Sequence, residues 1–271
     1  MTTAFLHSAS ATFNLIQISD PHLFADPEGC LLGVNTRQSF LAILGLIQQQ
    51  ESSIDAIVVT GDISQDYSVE SYQFFAQQME QFACPVLCLA GNHDEQELLE
   101  QILSQKNIST QKQFSSSYWQ LLLAHSQVKG EVFGYIDETE MQWLAQQVAS
   151  EQKPTLVFTH HHPVYSKTDW IDVLGIKNCE AFTEFLASQQ QIKACGFGHI
   201  HQELHITQGG VDYYGVPSTC IQFKKEATEF AVSEEMPGYR RFCCYPNGRF
   251  ETQVERLQEF ELSLDHAAGG Y

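Results

Sequence analysis

Basic residues are scarce: 14 lysines and arginines stand against 33 aspartates and glutamates, a formal charge of -19 over 271 residues. So acidic a chain offers no electrostatic footprint for nucleic acid or anionic lipid, and neither is an expected partner. Paired cysteines are missing as well. The eight cysteines, at 30, 84, 88, 179, 195, 220, 243 and 244, include no CxxC pair and no zinc-ribbon spacing, so they read as buried thiols. No run approaches 18 apolar residues and no basic segment followed by an apolar one precedes residue 20, so neither a membrane span nor an export signal is predicted. The expected location is the cytoplasm. Repeats, low-complexity blocks and linkers are also absent, which predicts one domain over 1–260 followed by an unpatterned, flexible tail over 261–271.

What is present is a chain 43% hydrophobic, enough for a sizeable core, in which strand-like and helix-like patterns alternate. "FNLIQIS" (13–19), "AIVVT" (56–60), "PVLCLA" (85–90) and "TLVFT" (155–159) are short apolar runs that read as buried strands. Between them Phe40, Ile43, Leu44 and Ile47 recur at helical spacing after a cap at Asn35, and Tyr72, Phe75, Met79 and Phe82 do so after Ser68. Asp137 to Glu140 resembles a capping box opening a further helix. After residue 200 the pattern changes to hairpins, with turns at Gln208-Gly209-Gly210 and Pro246-Asn247-Gly248. The fold class is α/β with a hairpin-rich C-terminal part.

The chemistry lies just past the end of each strand. "NLIQIS" runs into Asp20-Pro21-His22, "AIVVT" into Gly61-Asp62, "VLCLA" into Gly91-Asn92-His93-Asp94, "TLVFT" into His160-His161-His162, and "KACGF" into Gly198-His199-Ile200-His201. Each motif alone is weak, since an Asp after Gly is a common turn and an HxH is only a moderate signal. Five together, all where an α/β sheet presents its carboxyl edge, are hard to assign to turns and caps. Carboxylate, amide and imidazole donors suit borderline divalent metals, and seven candidates exceed the needs of one ion, which points to two ions sharing a carboxylate. In DxH and HxH, extended alternation would turn both side chains to one face.

The DxH, GD, GNHD, His-before-Pro and GHxH series, in this order, resembles the calcineurin-like metallophosphoesterase superfamily. "LFADPEGCLLGVNT", "LGIKNCEAF", "GHIHQEL" and "PSTCIQFK" look like its bacterial class III 3',5'-cyclic-AMP phosphodiesterases, a resemblance that covers nearly the whole chain. It implies a four-layer α/β/β/α sandwich and hydrolysis of cyclic AMP to 5'-AMP by a hydroxide generated between two divalent ions, iron or manganese, with zinc as a further option. The alternatives are another phosphodiesterase or nucleotide pyrophosphohydrolase on the same metal edge, or a silent binding protein. By resemblance, Asp20, His22, Asp62 and His201 would hold the first metal, and Asp62, Asn92, His161 and His199 the second. Asn92 and His93 would contact the substrate, His93 would donate a proton or hydrogen bond to the reacting group, and Asp94 would be its partner. His161 is selected because it lies two residues before the proline, with His160 and His162 expected to face away. One departure is His125, where these enzymes are expected to carry Asp. The partner implied is a small cyclic nucleotide; the oligomeric state is not implied.

Overall fold

The computed structural model describes residues 12–270, so the first eleven residues of the expected domain and the last residue of the expected tail lie outside the description. Twelve strands build two six-stranded sheets. The first contains β1 (Phe13–Ile18), β2 (Ala56–Val59), β3 (Val86–Cys88), β4 (Ile108–Ser109), and later strands of the chain; the second contains β5 (Gln113–Ser115), β6 (Gln120–Leu123), β7 (Thr155–Thr159), β8 (Ile192–Phe197), β9 (Leu204–Gln208) and β10 (Val211–Gly215). Strands β11 (Gly238–Cys244) and β12 (Phe250–Arg256) complete the first sheet, giving the orders β12-β11-β1-β2-β3-β4 and β9-β10-β8-β7-β6-β5. Two short ladders, Cys30–Leu31 with Val34–Asn35 and Gln222–Phe223 with Val232–Ser233, flank them.

β1 to β4 are parallel, as are β6, β7, β8 and β10, and these central strands are apolar on both faces because both faces are covered. Leu15, Val58 and Leu87 meet Leu121, Leu156 and Phe158 between the sheets. On the outer face of the first sheet, Ile16, Ile57 and Val86 pack on Phe40 and Ile43 of α1 (Thr36–Gln50) and Tyr72 and Phe75 of α2 (Val69–Met79), joined by Leu99 of α3 (Gln96–Leu103). On the outer face of the second, Val157 and Cys195 pack on Leu144 and Val148 of α4 (Glu138–Glu151) and on Phe182 and Leu186 of a helix at Cys179–Ser188. The result is helix, sheet, sheet, helix. Neighbours Leu15 and Ile16 enter different cores, as the two-residue strand period requires. Each such buried side chain contributes about 1.5–3 kcal/mol.

The expected caps form: Asn35 Oδ1 accepts from Gln38 N at 2.9 Å, Ser68 Oγ from Ser71 N at 3.2 Å and Asp137 Oδ1 from Glu140 N at 2.7 Å. The capping box is only half made, because the Glu140 carboxylate instead accepts from Lys112 Nζ at 2.5 Å and His125 N at 2.9 Å. Both hairpins form, the first turning through Gly209 and Gly210 with φ of 61° and 82°. All eight cysteines are free, but Cys30 is exposed and Cys179 and Cys243 are half-buried, so the expectation of buried thiols fails for three of them. The segment after 260 makes definite contacts: Leu262 and Leu264 pack on the core cluster that contains Leu31 and Val34, and Asp265 N donates to Leu32 O at 2.9 Å.

Candidate metal centre

The strands stop before the motifs begin. β1 ends at Ile18, and Asp20 and His22 come next with φ of 54° and 47°; Asp62, after β2, has 50°, and His199 and His201, after β8, have 66° and 47°. Extended alternation therefore is not what brings DxH and HxH side chains together. Left-handed backbone does, at a cost of about 1–3 kcal/mol per residue that neighbouring bonds must offset. Those bonds are present: Asp20 N donates to Gly61 O and His22 N to Asp62 O, both at 3.0 Å, while Ser218 Oγ holds Asp20 O at 2.7 Å. Close approach also needs glycine. A Cβ on Gly91 would stand 2.1 Å from Asp62 Oδ1, and one on Gly198 would stand 2.0 Å from Ser19 Oγ and 2.8 Å from Asp20 Oδ2.

Asp20, His22 and His201, all buried, form one cluster. His22 Nδ1 donates to Gln65 Oε1 at 2.6 Å and His201 Nδ1 donates to Ile221 O at 2.9 Å, which leaves a lone pair on each Nε2. These two Nε2 atoms face each other at 3.1 Å. Asp20 Oδ1 lies 3.5 Å from His201 Nε2, and Phe223 stacks on the His201 ring at 4.2 Å.

A second cluster repeats the pattern. His160 Nδ1 donates to Thr60 O at 2.7 Å, so its Nε2 faces Asn92 Oδ1 at 3.0 Å and Asp62 Oδ2 at 3.3 Å, where it meets either a proton or a cation. Among the described residues His199, beside it, has no hydrogen-bond partner for either ring nitrogen, and His161 none for Nε2, although all are buried. Asp62 Oδ2 lies 3.3 Å from His160 Nε2 and 3.8 Å from His22 Nε2, one from each cluster, while its Oδ1 accepts from His93 N at 2.8 Å. Lone pairs thus converge on two points either side of one carboxylate. Only cations or protons reconcile such a set with burial, and the donors are those that two divalent ions would take.

The electrostatics agree with that reading. Burial works to raise Asp20 and Asp62, yet the surrounding histidines outweigh it and hold both below the usual carboxylate range. Burial presses the His22 imidazole down to about 3, keeping it neutral. At His160 burial is overcome by Asp62 and Asp20, which push it up to about 9, so a proton on its Nε2 competes with a cation for the place beside Asp62. The site is an electron-rich cage that attracts positive charge.

Residues 13–203 match the family described as calcineurin-like phosphoesterase. The chain belongs to that family. This phosphoesterase is 36% identical over 272 residues to the 3',5'-cyclic adenosine monophosphate phosphodiesterase CpdA of Vibrio vulnificus, covering 98% of this chain and 99% of that one. It is also 36% identical to the CpdA of Escherichia coli K12 over 266 residues, 97% of each chain. A dimetal phosphatase from Danio rerio shares its fold, with a TM-score of 0.65 at 16% identity over 91% of this chain and 99% of that chain.

Some side chains of the phosphoesterase lie elsewhere than the sequence suggests. His160, expected to face away, sits against Asp62 and Asn92, because β7 stops at Thr159 and the next residues leave the extended path. His161 is also within the cluster of His160 and His199, with Nδ1 against Ser126 Oγ at 2.9 Å. His162 turns toward Asp172, at 3.5 Å. Asp94, expected as the partner of His93, ties two loops together: its oxygens accept from Ile63 N, Ser64 N, Gly91 N and Tyr72 Oη at 2.9 to 3.1 Å. Burial and the charge of Asp62 push its carboxyl up to about 7. His93 lies edge-on to His22, ring centres 5.2 Å apart. His125 is a neighbour of the site rather than a member, its backbone N–H held by Glu140.

Four positioning residues had no sequence signal of their own. Gln65 orients His22, Ser126 orients His161, and Gln127 Nε2 donates to both Gly91 O and Asp94 O at 2.7 Å, closing the GNHD turn. Ser218, within "PSTCIQFK", ties down the Asp20 backbone.

Proposed function

We propose that this protein hydrolyses 3',5'-cyclic AMP to 5'-AMP with two divalent cations, iron or manganese, held on either side of Asp62. The first would be held by Asp20, His22, Asp62 and His201. The second would be held by Asp62, Asn92, His199 and His160, with His160 favoured over His161 because its Nε2 already faces Asp62 and Asn92, once a cation has displaced its proton. The mixed oxygen and nitrogen donors suit iron and manganese, and no thiolate is among them. Bound there, the ions supply Lewis acidity toward the phosphoryl oxygens and lower the pKa of water. Their charge exceeds that of Asp20 and Asp62, so an anionic substrate meets a positive pocket inside an acidic protein.

The chain's own groups do the rest. Asn92 directs its carbonyl oxygen into the cage, leaving its amide N–H to donate to a phosphoryl oxygen. His93, with its backbone N–H fixed on Asp62, stands beside the reacting group and donates a proton to the departing 3'-oxygen of the ribose, a role worth about 10²- to 10⁴-fold. Asp94 and Gln127 keep that turn from shifting. Eight free cysteines are what a reducing compartment permits, and no helix among the described residues is long and apolar enough to cross a membrane; the cytoplasm is the location we infer.

The observation that carries this reading is the pair of lone-pair clusters sharing Asp62. It is supported by similarity to the CpdA enzymes along almost the full chain. The test is a comparison of rates on cyclic AMP, cyclic GMP, glycerophosphodiesters and phosphomonoesters, before and after chelation and after return of manganese or iron. Preference for cyclic AMP that vanishes with the metal is expected. Preference for another phosphodiester would reassign the substrate, and activity surviving exhaustive chelation would remove the two-cation mechanism.

A further inference from the structure

The flank of the sandwich where β9 and β12 are the edge strands holds a cavity of about 600 Å³, within the range of about 300–1,000 Å³ that small-molecule sites occupy. No residue of the metal cage lines it. On its wall stands Arg240 of β11, only 3% exposed. Its Nη2 donates to Gly215 O of β10 at 3.0 Å and its Nη1 to Thr252 Oγ1 of β12 at 3.2 Å, so the side chain bridges the two sheets. Among the described residues its Nε–H has no partner and its guanidinium makes no ion pair. A bridge alone would be made at lower cost by a neutral amide, because a buried charge is normally matched by a counter-charge. The other walls are flat rings. The guanidinium stands over Tyr214 at 4.9 Å, His205 stacks on the same ring at 4.5 Å, and Phe250, half-buried, meets it edge-on at 6.0 Å. The remaining charges of the lining are exposed: Lys225, which is paired with Glu235 at 3.3 Å, and the carboxylates of Glu203 and Glu251. A dianion would be repelled by those two carboxylates, whereas a single negative charge on a flat ring could reach Arg240.

We infer that this cavity is a second ligand site, separate from the metal centre, that takes a small aromatic or heteroaromatic monocarboxylate. The carboxylate accepts from the free Nε–H and the adjoining N–H of Arg240, a planar fork that matches two carboxylate oxygens. The ring lies between Phe250 and the stacked pair of His205 and Tyr214, where offset or edge-on contacts are available. The buried guanidinium gains the counter-charge that the protein itself does not supply.

The test is a fluorine NMR titration of the metal-loaded protein with 4-fluorobenzoate, for the wild type, R240M, R240K and H205A, with thermal unfolding measured on each and the wild type repeated after chelation. A Kd of about 1 mM or tighter is expected for a probe of this size. R240M should weaken it about 10- to 150-fold, as loss of charge-assisted hydrogen bonds does, and H205A about 2- to 10-fold through the lost ring contact. R240K, which keeps the charge and loses the fork, should fall between wild type and R240M. Chelation should leave wild-type binding in place, and unlabelled benzoate should displace the probe at lower concentration than phenylphosphonate does. No binding to the wild type overturns the inference, as does binding that disappears on chelation, which would put the probe on the metals. Stronger displacement by phenylphosphonate removes the monocarboxylate assignment. Should R240M fail to fold, R240K and H205A decide, and wild-type affinity in both overturns the site.

Discussion

His22 and His201 point their Nε2 lone pairs at each other across 3.1 Å, each ring fixed by an Nδ1–H bond, to Gln65 Oε1 and to Ile221 O. Two acceptors at that distance repel unless a positive charge lies between them or beside both. Stripping the protein of metal should therefore destabilise it as well as silence it. A ligand present at 100 to 1,000 times its dissociation constant adds about 2.7–4.1 kcal/mol, so the thermal midpoint should fall by roughly 5 °C or more on chelation and recover with manganese. Calorimetry before and after chelation checks this, and an unchanged midpoint counts against the cage.

The position of His160 against Asp62 and Asn92 separates it from its neighbour in the triplet. His160→Ala is expected to leave one ion per chain and to lower kcat/KM at least about 100-fold, as loss of a clamp on the reacting group would. Elemental analysis decides. Two ions retained in His160→Ala, with one lost in His161→Ala, would move the ligand role to His161.

Gly91→Ala adds a methyl group 2.1 Å from Asp62 Oδ1, 2.5 Å from Asp62 N and 2.6 Å from His160 Cε1. Backbone on one side and a shared carboxylate on the other leave no soft direction in which to yield. The variant should lose about 1–3 kcal/mol of stability and about 100-fold or more in turnover. Denaturant titration and kinetics on the same preparation test both, and near wild-type turnover would mean that the loops are looser than these distances state.

His125 gives a pH signature apart from the metal. Burial first, then Lys112, lower its pKa below 6.5, with Glu140 and Glu100 opposing. The folded state therefore refuses a proton that the unfolded chain accepts, and the associated stability is present above pH 6.5 and declines as the pH falls below it. Denaturant unfolding of metal-loaded protein at pH 7.5 and 5.5 should show a smaller loss in His125→Gln than in wild type. Equal losses would show that His125 is not responsible.

The strands are legible in the sequence because period and length speak for themselves: the run at 155–159 is β7 residue for residue, and the run at 56–60 differs by one residue at its end. Caps at Asn35 and Ser68 are legible for the same local reason. The metal edge is legible from the coincidence of Asp, Asn and His at strand ends. Which face a side chain takes is not. That depends on φ at Asp20, His22, Asp62, His199 and His201, all in a region that patterns based on strand period do not anticipate, and alternation likewise puts His160 on the wrong side once the chain has left β7. Gln65 and Gln127 are equally silent, since an amide that orients another residue obeys no periodicity.

The contacts made after residue 260 bear on anyone shortening or extending this enzyme. Leu262 and Leu264 cover the cluster holding Leu31 and Val34, and Ser263 O lies where a Cβ on Gly33 would fall, 1.9 Å away. Trimming the C-terminal stretch as if it were dispensable would unroof greasy surface and invite clumping, so a fusion or purification handle belongs beyond Leu264, with that strap left intact.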